Sequence, residues 1–230
     1  KIAVVDLPEG VTVREAVERL NKNSIVAYAS PDYIATLCAL PDDPSLSSQW
    51  YLDAVNVPEA WDYAQCGGSV TVAMLDSGID LTHPDLAQNI RTEYAWDAYS
   101  ESALTGDSLN HGTRVAGIIA GVAGNTSGIA GVSYNAKLIP INVVDSEGYI
   151  TEQVLLRAMD YLLMNVTDES FKVINMSFSG FGYSSQFETK VNLAAARGIV
   201  TVCSAGNSHT DLYTFPSDYD ACISVVATDQ

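Results

Sequence analysis

From residue 70 onward, short apolar runs alternate with longer stretches in which apolar residues recur every three or four positions. Such runs are typical of strands buried on both faces, and the longer stretches predict helices. The predicted strands are Val70–Leu75, Lys137–Val143, Lys172–Met176, Gly198–Cys203 and Cys222–Ala227. The predicted helices are His111–Ala120, Thr151–Asn165 and Ser185–Arg197. This strand–helix–strand repetition predicts an α/β fold with a doubly wound, mostly parallel sheet.

The first forty residues follow the pattern of a small α+β unit instead. Ile2–Val5 and Ile25–Tyr28 are short apolar runs that predict strands. Between them, Thr12 and Glu15 have the spacing of a capping box, and apolar residues at helical spacing predict a helix over Val13–Leu20. Two prolines in residues 41–45 then interrupt regular structure, so we divide the chain into domains 1–40 and 41–230.

The net charge, the lengths of the apolar runs and the cysteine spacing argue against several classes of partner and site. The formal net charge of −17 over 230 residues repels phosphate backbones, so we expect no nucleic-acid partner. No apolar run approaches the roughly 18 residues of a membrane span, so we expect no membrane partner either. Cys38, Cys66, Cys203 and Cys222 lack the Cys-x-x-Cys spacing of zinc and redox sites, and either two disulfides or free thiols fit them.

Three polar residues lie next to the ends of predicted strands or at the start of a predicted helix. Asp76 follows the first apolar strand in an Asp-Ser-Gly sequence, His111 opens a helix in a His-Gly-Thr sequence, and Asn207 ends an Ala-Gly-Asn sequence after a later strand. Each alone is an ordinary turn or cap residue. In open α/β sheets, however, functional groups gather at the carboxyl ends of the strands, which favours a shared site.

Together and in this order, the three motifs resemble those of the subtilisin-like serine proteases, the subtilase family. The resemblance covers nearly the whole chain: Gln49–Trp61 is similar to the family's mature amino terminus, and residues 1–40 are similar to part of its inhibitory propeptide. It implies a ferredoxin-like propeptide that begins late, followed by a subtilisin-like catalytic domain. It also implies a secreted or extracytoplasmic zymogen that acts on protein or peptide substrates, with its own propeptide as inhibitor.

The resemblance assigns catalytic roles as well. Asp76 would orient His111, His111 would be the general base, and Asn207 would donate its amide to the oxyanion. The family's Gly-Thr-Ser-Met-Ala-type nucleophile motif does not occur in these residues, so we expect the serine to lie beyond Gln230 and the 230 residues alone to be inactive. Two alternatives stay open: a catalytically inactive relative that only binds, and an inhibitor or folding-chaperone role for residues 1–40 alone.

The resemblance also implies a substrate cleft and a calcium site. The expected substrate-binding residues are Ser177, Phe178, Ser179, Gly180, Ser204, Ala205, Gly206, Thr214 and, at a more distant apolar pocket, Ile150. None is charged, which favours an apolar residue before the scissile bond. The expected ligands of a structural Ca²⁺ are Asp43, Asp85, Ala123, Asn125, Ser127 and Ile129. An ordinary loop around Asn125 is the alternative to the calcium site.

Overall fold

A computed structural model describes residues 5–31, 41–64, 70–208 and 212–228. The chain forms two compact units, Lys1–Ala39 and Leu40–Gln230. Most of the predicted strand Ile2–Val5 and both Cys38 and Cys66 lie outside the described residues.

The first unit contains helix α1, Val13–Asn21, which confirms the predicted helix. The capping box is present: the Glu15 N–H donates to the Thr12 hydroxyl oxygen at 3.3 Å, and the Thr12 N–H donates to the Glu15 carboxylate at 3.0 Å. The predicted strand Ile25–Tyr28 is wrong, because these residues form a turn and irregular backbone. Ile25 and Tyr28 are largely exposed, and the Asn21 side chain instead holds both backbone groups of Ala29.

The second unit is a sheet with helices on both faces. Its strands are β1 (Thr71–Asp76), β2 (Trp96–Asp97), β3 (Ser102–Ala103), β4 (Lys137–Asn142), β5 (Phe171–Met176), β6 (Val200–Ser204) and β7 (Cys222–Val225). Its helices are α2 (Trp50–Ala54), α3 (Val57–Trp61), α4 (His111–Ala120), α5 (Glu152–Asn165) and α6 (Ser185–Ala196). Short 3₁₀ turns cover Leu46–Ser48, Ala87–Asn89 and Thr92–Tyr94.

The strand order is β3-β2-β4-β1-β5-β6-β7, and every pairing is parallel except that of β2 with β3. The chain therefore winds from β1 to β4 on one side and then returns across β1 to build β5, β6 and β7 on the other. This reversal creates a crevice at the carboxyl ends of β1 and β5, where such sheets bind ligands. The predicted α/β fold with a mostly parallel sheet is confirmed.

Strand β1 is buried along its whole length. Its Ala73 and Leu75 belong to the large apolar cluster that includes α5 and α6, whereas Val72 and Met74 belong to the cluster that includes α4. Alternate residues of a strand point to opposite faces, so β1 is covered by helices on both sides. This burial fixes the position of Asp76 at its end.

Pro140 lies inside β4 without disrupting the pairing with β1. The Lys137 N–H points to β1, where it donates to Val70, whereas the carbonyls of Leu138 and Asn142 accept from the opposite side. Pro140 is in phase with the latter two, so its missing N–H faces away from β1. The short strand β2 pairs only from Ile141 onward, beyond the proline.

The residues before the sheet pack on its loops. Leu52, Val57 and Trp61 form a small cluster with Ala130, and the Gln49 amide bonds both backbone groups of Ala130, at 2.8 and 3.0 Å. Helices α2 and α3 were not predicted, because five residues are too few to show helical periodicity. The predicted linker at 41–45 lacks helix and strand, as expected, yet the Ser45 N–H bonds the Gly128 carbonyl within this unit.

Candidate active site

Asp76 and His111 meet at the carboxyl end of β1. Asp76 ends the strand and His111 is the first residue of α4. The His111 Nδ1 lies 2.7 Å from the Asp76 Oδ1. The Asp76 side chain is 4% exposed, whereas the His111 side chain is 57% exposed. A buried carboxylate therefore holds one edge of an imidazole whose other side faces solvent.

The tautomer of His111 follows from this contact. The Asp76 carboxylate accepts hydrogen bonds, here also from the Ser77 N–H at 2.7 Å. The Nδ1 of a neutral imidazole must therefore carry the proton in order to donate to it. The lone pair is then on Nε2, the nitrogen on the opposite side of the ring. This arrangement suits a general base.

Glycines allow the start of α4 to approach β1. A Cβ on Gly112 would lie 3.2 Å from the Asp76 Cβ and would overlap the backbone of Gly78. Gly78 itself has φ +92° and faces the carbonyl of Gly106, so it too requires glycine. Two closely packed loops thus set the distance between the carboxylate and the imidazole.

Asp107 organises the turn before His111, and sequence reasoning missed it. Its Oδ1 accepts from the Ser77 hydroxyl at 2.7 Å and from the N–H groups of Leu109 and Asn110. Its Oδ2 accepts from the Thr113 N–H and hydroxyl, at 2.8 and 2.6 Å. An acidic residue shortly before a predicted helix start was the available signal.

The charge of Asp107 is stabilised by these donors. Partial burial raises the pKa of its carboxyl, but the hydrogen bonds from Thr113, Ser77 and Leu109 outweigh burial and leave the pKa below its ordinary value. The Ser77 hydroxyl also accepts from the Gly112 N–H at 2.9 Å. Ser77 therefore connects Asp107 to the first turn of α4, where His111 lies.

The predicted substrate-binding segments lie side by side. Residues 177–180 follow β5 and residues 204–206 follow its neighbour β6. A Cβ on Gly206 would lie 2.4 Å from the Ser179 Oγ, so the two segments are in close contact. The Gly180 N–H donates to the Thr214 hydroxyl at 3.0 Å. The structure thus brings Thr214 and both segments together.

The other predicted site residues differ in their exposure to solvent. Ile150 and Phe178 are half-buried against the large apolar cluster. Asn207 follows Gly206 directly and is exposed. The roles of these residues in binding and catalysis stay predictions.

The predicted calcium ligands gather around one loop. The Gly124 N–H donates to the Asp43 Oδ2, and the Ile129 N–H and the Asn125 amide donate to Asp85. Both aspartates are buried, and within the described residues the Asp43 Oδ1 has no hydrogen-bond partner. A buried acceptor without a donor fits a cation site.

Two thiols lie beside the cleft. Cys203 on β6 and Cys222 on β7 are free cysteines whose side chains hydrogen-bond to each other. The bond and burial raise the pKa of Cys203, whereas the same bond lowers the pKa of the less buried Cys222. In the part of the chain that the structure describes, these two cysteines therefore form no disulfide.

The described residues contain no group of three or more His, Cys, Asp or Glu side chains that could hold a metal ion. A Ca²⁺ would therefore depend on the two aspartates together with carbonyl and amide oxygens. Within the same residues, no helix combines the length and apolarity needed to cross a membrane.

Comparison with known proteins adds independent findings. Residues 67–230 match the Subtilase family, and residues 1–32 match the fervidolysin N-terminal prodomain. The chain is 34% identical to thermitase of Thermoactinomyces vulgaris over 191 residues, which cover 83% of this chain and 66% of thermitase. It is 33% identical to subtilisin E of Bacillus subtilis (strain 168), covering 93% of this chain and 53% of that protein.

Fervidolysin of Fervidobacterium pennivorans is 31% identical, covering 100% of this chain and 37% of fervidolysin. A solved protease structure from Pseudoalteromonas arctica PAMC 21717 has a TM-score of 0.69 at 29% identity, covering 81% of this chain and 65% of that one. The chain thus spans between about a third and two thirds of the length of these proteins.

Proposed function

Because the chain belongs to the subtilase family of serine proteases, we propose that it is part of an endopeptidase zymogen with an Asp76–His111–Ser triad. The observation that carries the proposal is the 2.7 Å contact between the buried Asp76 carboxylate and the open His111 imidazole. A structural ion pair would not require a histidine whose outer nitrogen faces solvent. A general base does require it.

In the proposed reaction, each residue of the site has one role in proton transfer or hydrogen bonding. The His111 Nε2 takes the proton of the serine hydroxyl as its oxygen attacks the scissile carbonyl. Asp76 keeps the Nδ1 proton in place and stabilises the imidazolium that forms. His111 then returns the proton to the leaving amine. Asn207 donates its amide to the developing oxyanion, and the serine lies in a segment beyond residue 230.

Substrate would add a strand beside residues 177–180. A peptide there would pair its backbone with the segment after β5, and its side chain before the scissile bond would enter between this segment and residues 204–206. The close contact of Ser179 with Gly206 narrows that space. With Thr214 beside Gly180 and no charged side chain among the proposed contacts, an apolar residue before the scissile bond is expected.

The test uses the full-length gene product and a set of fluorogenic peptides. Hydrolysis should fall about 10⁴-fold in Asp76→Asn, since the wrong histidine tautomer then predominates. The exposed Asp62→Asn is the matched control and should retain wild-type activity. A serine-directed phosphonate should label one serine of the wild type. Full-length protein that binds peptides but neither turns them over nor accepts the phosphonate would identify an inactive relative instead.

We also propose that residues 1–40 are a propeptide that inhibits a secreted enzyme until it is removed. The match of residues 1–32 to a prodomain supports this reading. Autoprocessing of the full-length protein should cut near residues 37–40, which lie outside the described residues, and a Ser→Ala variant should remain uncut. Full activity while residues 1–40 remain attached, as judged by mass spectrometry, would overturn the propeptide proposal without affecting the triad.

The third proposal is a structural Ca²⁺ held by the loop around Asn125. The carboxylates of Asp43 and Asp85 would neutralise the ion, and oxygens of Asn125 and of the backbone of Ala123, Ser127 and Ile129 would complete an all-oxygen site. The unpartnered Asp43 Oδ1 supports this assignment. The ion would join the residues before α2 to the loop after α4, and it would stabilise the fold rather than take part in hydrolysis.

A further inference from the structure

A cavity of about 140 Å³ opens where the proposed substrate-binding segment ends. It begins at Phe181, the residue after Gly180, and lies between the 181–184 loop and the 215–219 segment. These two segments are joined by a pair of backbone hydrogen bonds, each 3.2 Å long, between Phe181 and Phe215. Phe181 and Phe215 in the cavity wall directly follow Gly180 and Thr214, two of the proposed substrate-binding residues.

Five aromatic side chains line this cavity: Phe181, Tyr183, Phe187, Phe215 and Tyr219. The Phe215 and Tyr219 ring centroids are 4.6 Å apart, with planes at 49°, and those of Tyr183 and Phe215 are 5.6 Å apart at 69°. The Tyr219 hydroxyl bonds both backbone groups of Ser184 at 3.0 Å, so the rings are held by the loop that they pack against. We call this set of rings the aromatic cage.

The cage is electronegative. The Glu152 carboxylate lines it and is held by the Ser184 hydroxyl, and the Tyr183 hydroxyl donates to Glu188 at 2.7 Å. None of the lining residues is basic. Burial raises the pKa of Tyr219, the Ser184 backbone lowers it, and the carboxylates of Glu152 and Glu188 raise it further.

Size and charge together define what fits. Pockets for drug-sized molecules have volumes of about 300–1,000 Å³, whereas a cavity near 150 Å³ holds a single ring-sized group. Aromatic faces attract cations, and a carboxylate beside them pairs with a guanidinium through two parallel hydrogen bonds. A planar guanidinium can also stack on the rings, which an ammonium group cannot do.

We propose that the aromatic cage with Glu152 is a specificity site for an arginine side chain of the substrate, upstream of the scissile bond. The proposal rests on the proposed endopeptidase function. Residues 177–180 connect the end of β5, where Met176 pairs with Leu75 next to Asp76, to Phe181, and an extended peptide paired with them would advance about 3.3 Å per residue. An arginine about four positions before the residue at the scissile bond would therefore reach the cage.

The first experiment measures kcat/KM of the full-length enzyme on internally quenched peptides. One series carries arginine at each of the third to sixth positions before the scissile bond, and the matched series carries citrulline, which has the same shape without the charge. Arginine should be preferred about five- to tenfold at one of these positions. The ratio should fall to near one in Glu152→Gln and decrease in Tyr183→Leu. It should be unchanged in Glu169→Gln, an exposed glutamate before β5.

Three results would overturn the proposal. One is equal rates for arginine and citrulline at every position in the wild type. Another, measured with a third series that carries phenylalanine at the same positions, is a preference for phenylalanine over arginine at the responsive position, which would make the cage an ordinary apolar subsite. The third is a preference for arginine that persists unchanged in Glu152→Gln.

A second experiment separates this proposal from the enzymatic one. Binding of acetyl-arginine-amide and acetyl-citrulline-amide to the 230-residue chain is followed by NMR titration of the Tyr and Phe ring signals. Selective binding of the arginine probe, lost in Glu152→Gln, supports the site even if the full-length protein hydrolyses nothing. Absence of selective binding together with equal turnover of the two peptide series overturns the site while the peptidase proposal stands.

Discussion

The hydroxyl of Ser77 donates a 2.7 Å hydrogen bond to the carboxylate of Asp107, thirty residues farther along the chain. This bond connects the residue after Asp76 to the turn that precedes His111. The relative position of the proposed base His111 and its partner Asp76 therefore depends on a second carboxylate, that of Asp107, which need not touch substrate. Asp107 is a positioning residue in this arrangement.

Asp107→Asn should destabilise the chain by about 1–2 kcal/mol at pH 7, because an amide oxygen replaces a charged acceptor of five hydrogen bonds. The folded pKa of Asp107 is lowered, so its contribution is present above the unfolded pKa of about 3.9 and is lost as the pH falls through the folded value. Urea unfolding of both proteins between pH 3 and pH 8 measures this difference. A difference that grows below pH 4 would contradict the assignment.

Gly112→Ala should lower the free energy of unfolding by about 3 kcal/mol or more. The added Cβ would lie 2.0 Å from the Gly78 carbonyl oxygen, and backbone atoms cannot move aside as a side chain can. Gly182→Ala is the control: a Cβ there meets nothing within 4 Å, and the change should stay within about 1 kcal/mol. Thermal unfolding followed by circular dichroism measures both variants. Equal melting temperatures would show that α4 is not as close to β1 as described.

Calcium should raise the melting temperature of the chain. A ligand bound only by the folded state adds about 2.7 kcal/mol to the free energy of unfolding when its concentration is a hundred times its Kd. Asp43→Asn and Asp85→Asn should each weaken that response, and Asp62→Asn should not. Differential scanning calorimetry in Ca²⁺ and in chelator provides the measurement. A melting temperature that is identical in both solutions would remove the calcium site.

Cys222 should react with iodoacetamide well before Cys203 does. Its lowered pKa gives it more thiolate, and it is less buried than its partner, whose pKa is raised. Peptide mapping by mass spectrometry, with denatured chain as the control, would distinguish these two thiols from Cys38 and Cys66. Faster labelling of Cys203 would contradict the assignment of the lowered pKa to Cys222.

The elements that sequence could predict are those whose pattern is local. Apolar runs predicted β1 and β4 to within one residue, and Thr151 and Ser184 cap α5 and α6 where periodicity begins. The strand predicted at Ile25–Tyr28 was wrong, because an apolar run alone does not distinguish a strand from the turn and irregular backbone found there. That Asp76 and His111 would share a site was predicted from their motifs, the order of those motifs and the family resemblance that they carry.

Nonlocal contacts could not be predicted in the same way. The bonds of Asp107 join residues up to thirty positions apart, and no periodicity marks them. The aromatic cage combines rings from two segments that the 181–215 pairing and the Tyr219–Ser184 hydrogen bonds bring together. In both cases the contacts depend on which segments the fold brings together, and this cannot be predicted from the pattern of a single sequence.

Within the described residues, β7 is the last strand on one side of the sheet, and Ile223 and Val225 on it and Val226 after it are exposed. An exposed edge with apolar side chains is a template for pairing with another copy of the chain. At neutral pH and low ionic strength, the net charge of −17 holds copies apart. Added salt, or acid near pH 4, weakens that repulsion, so the 230-residue chain should self-associate more readily under those conditions than at neutral pH and low salt.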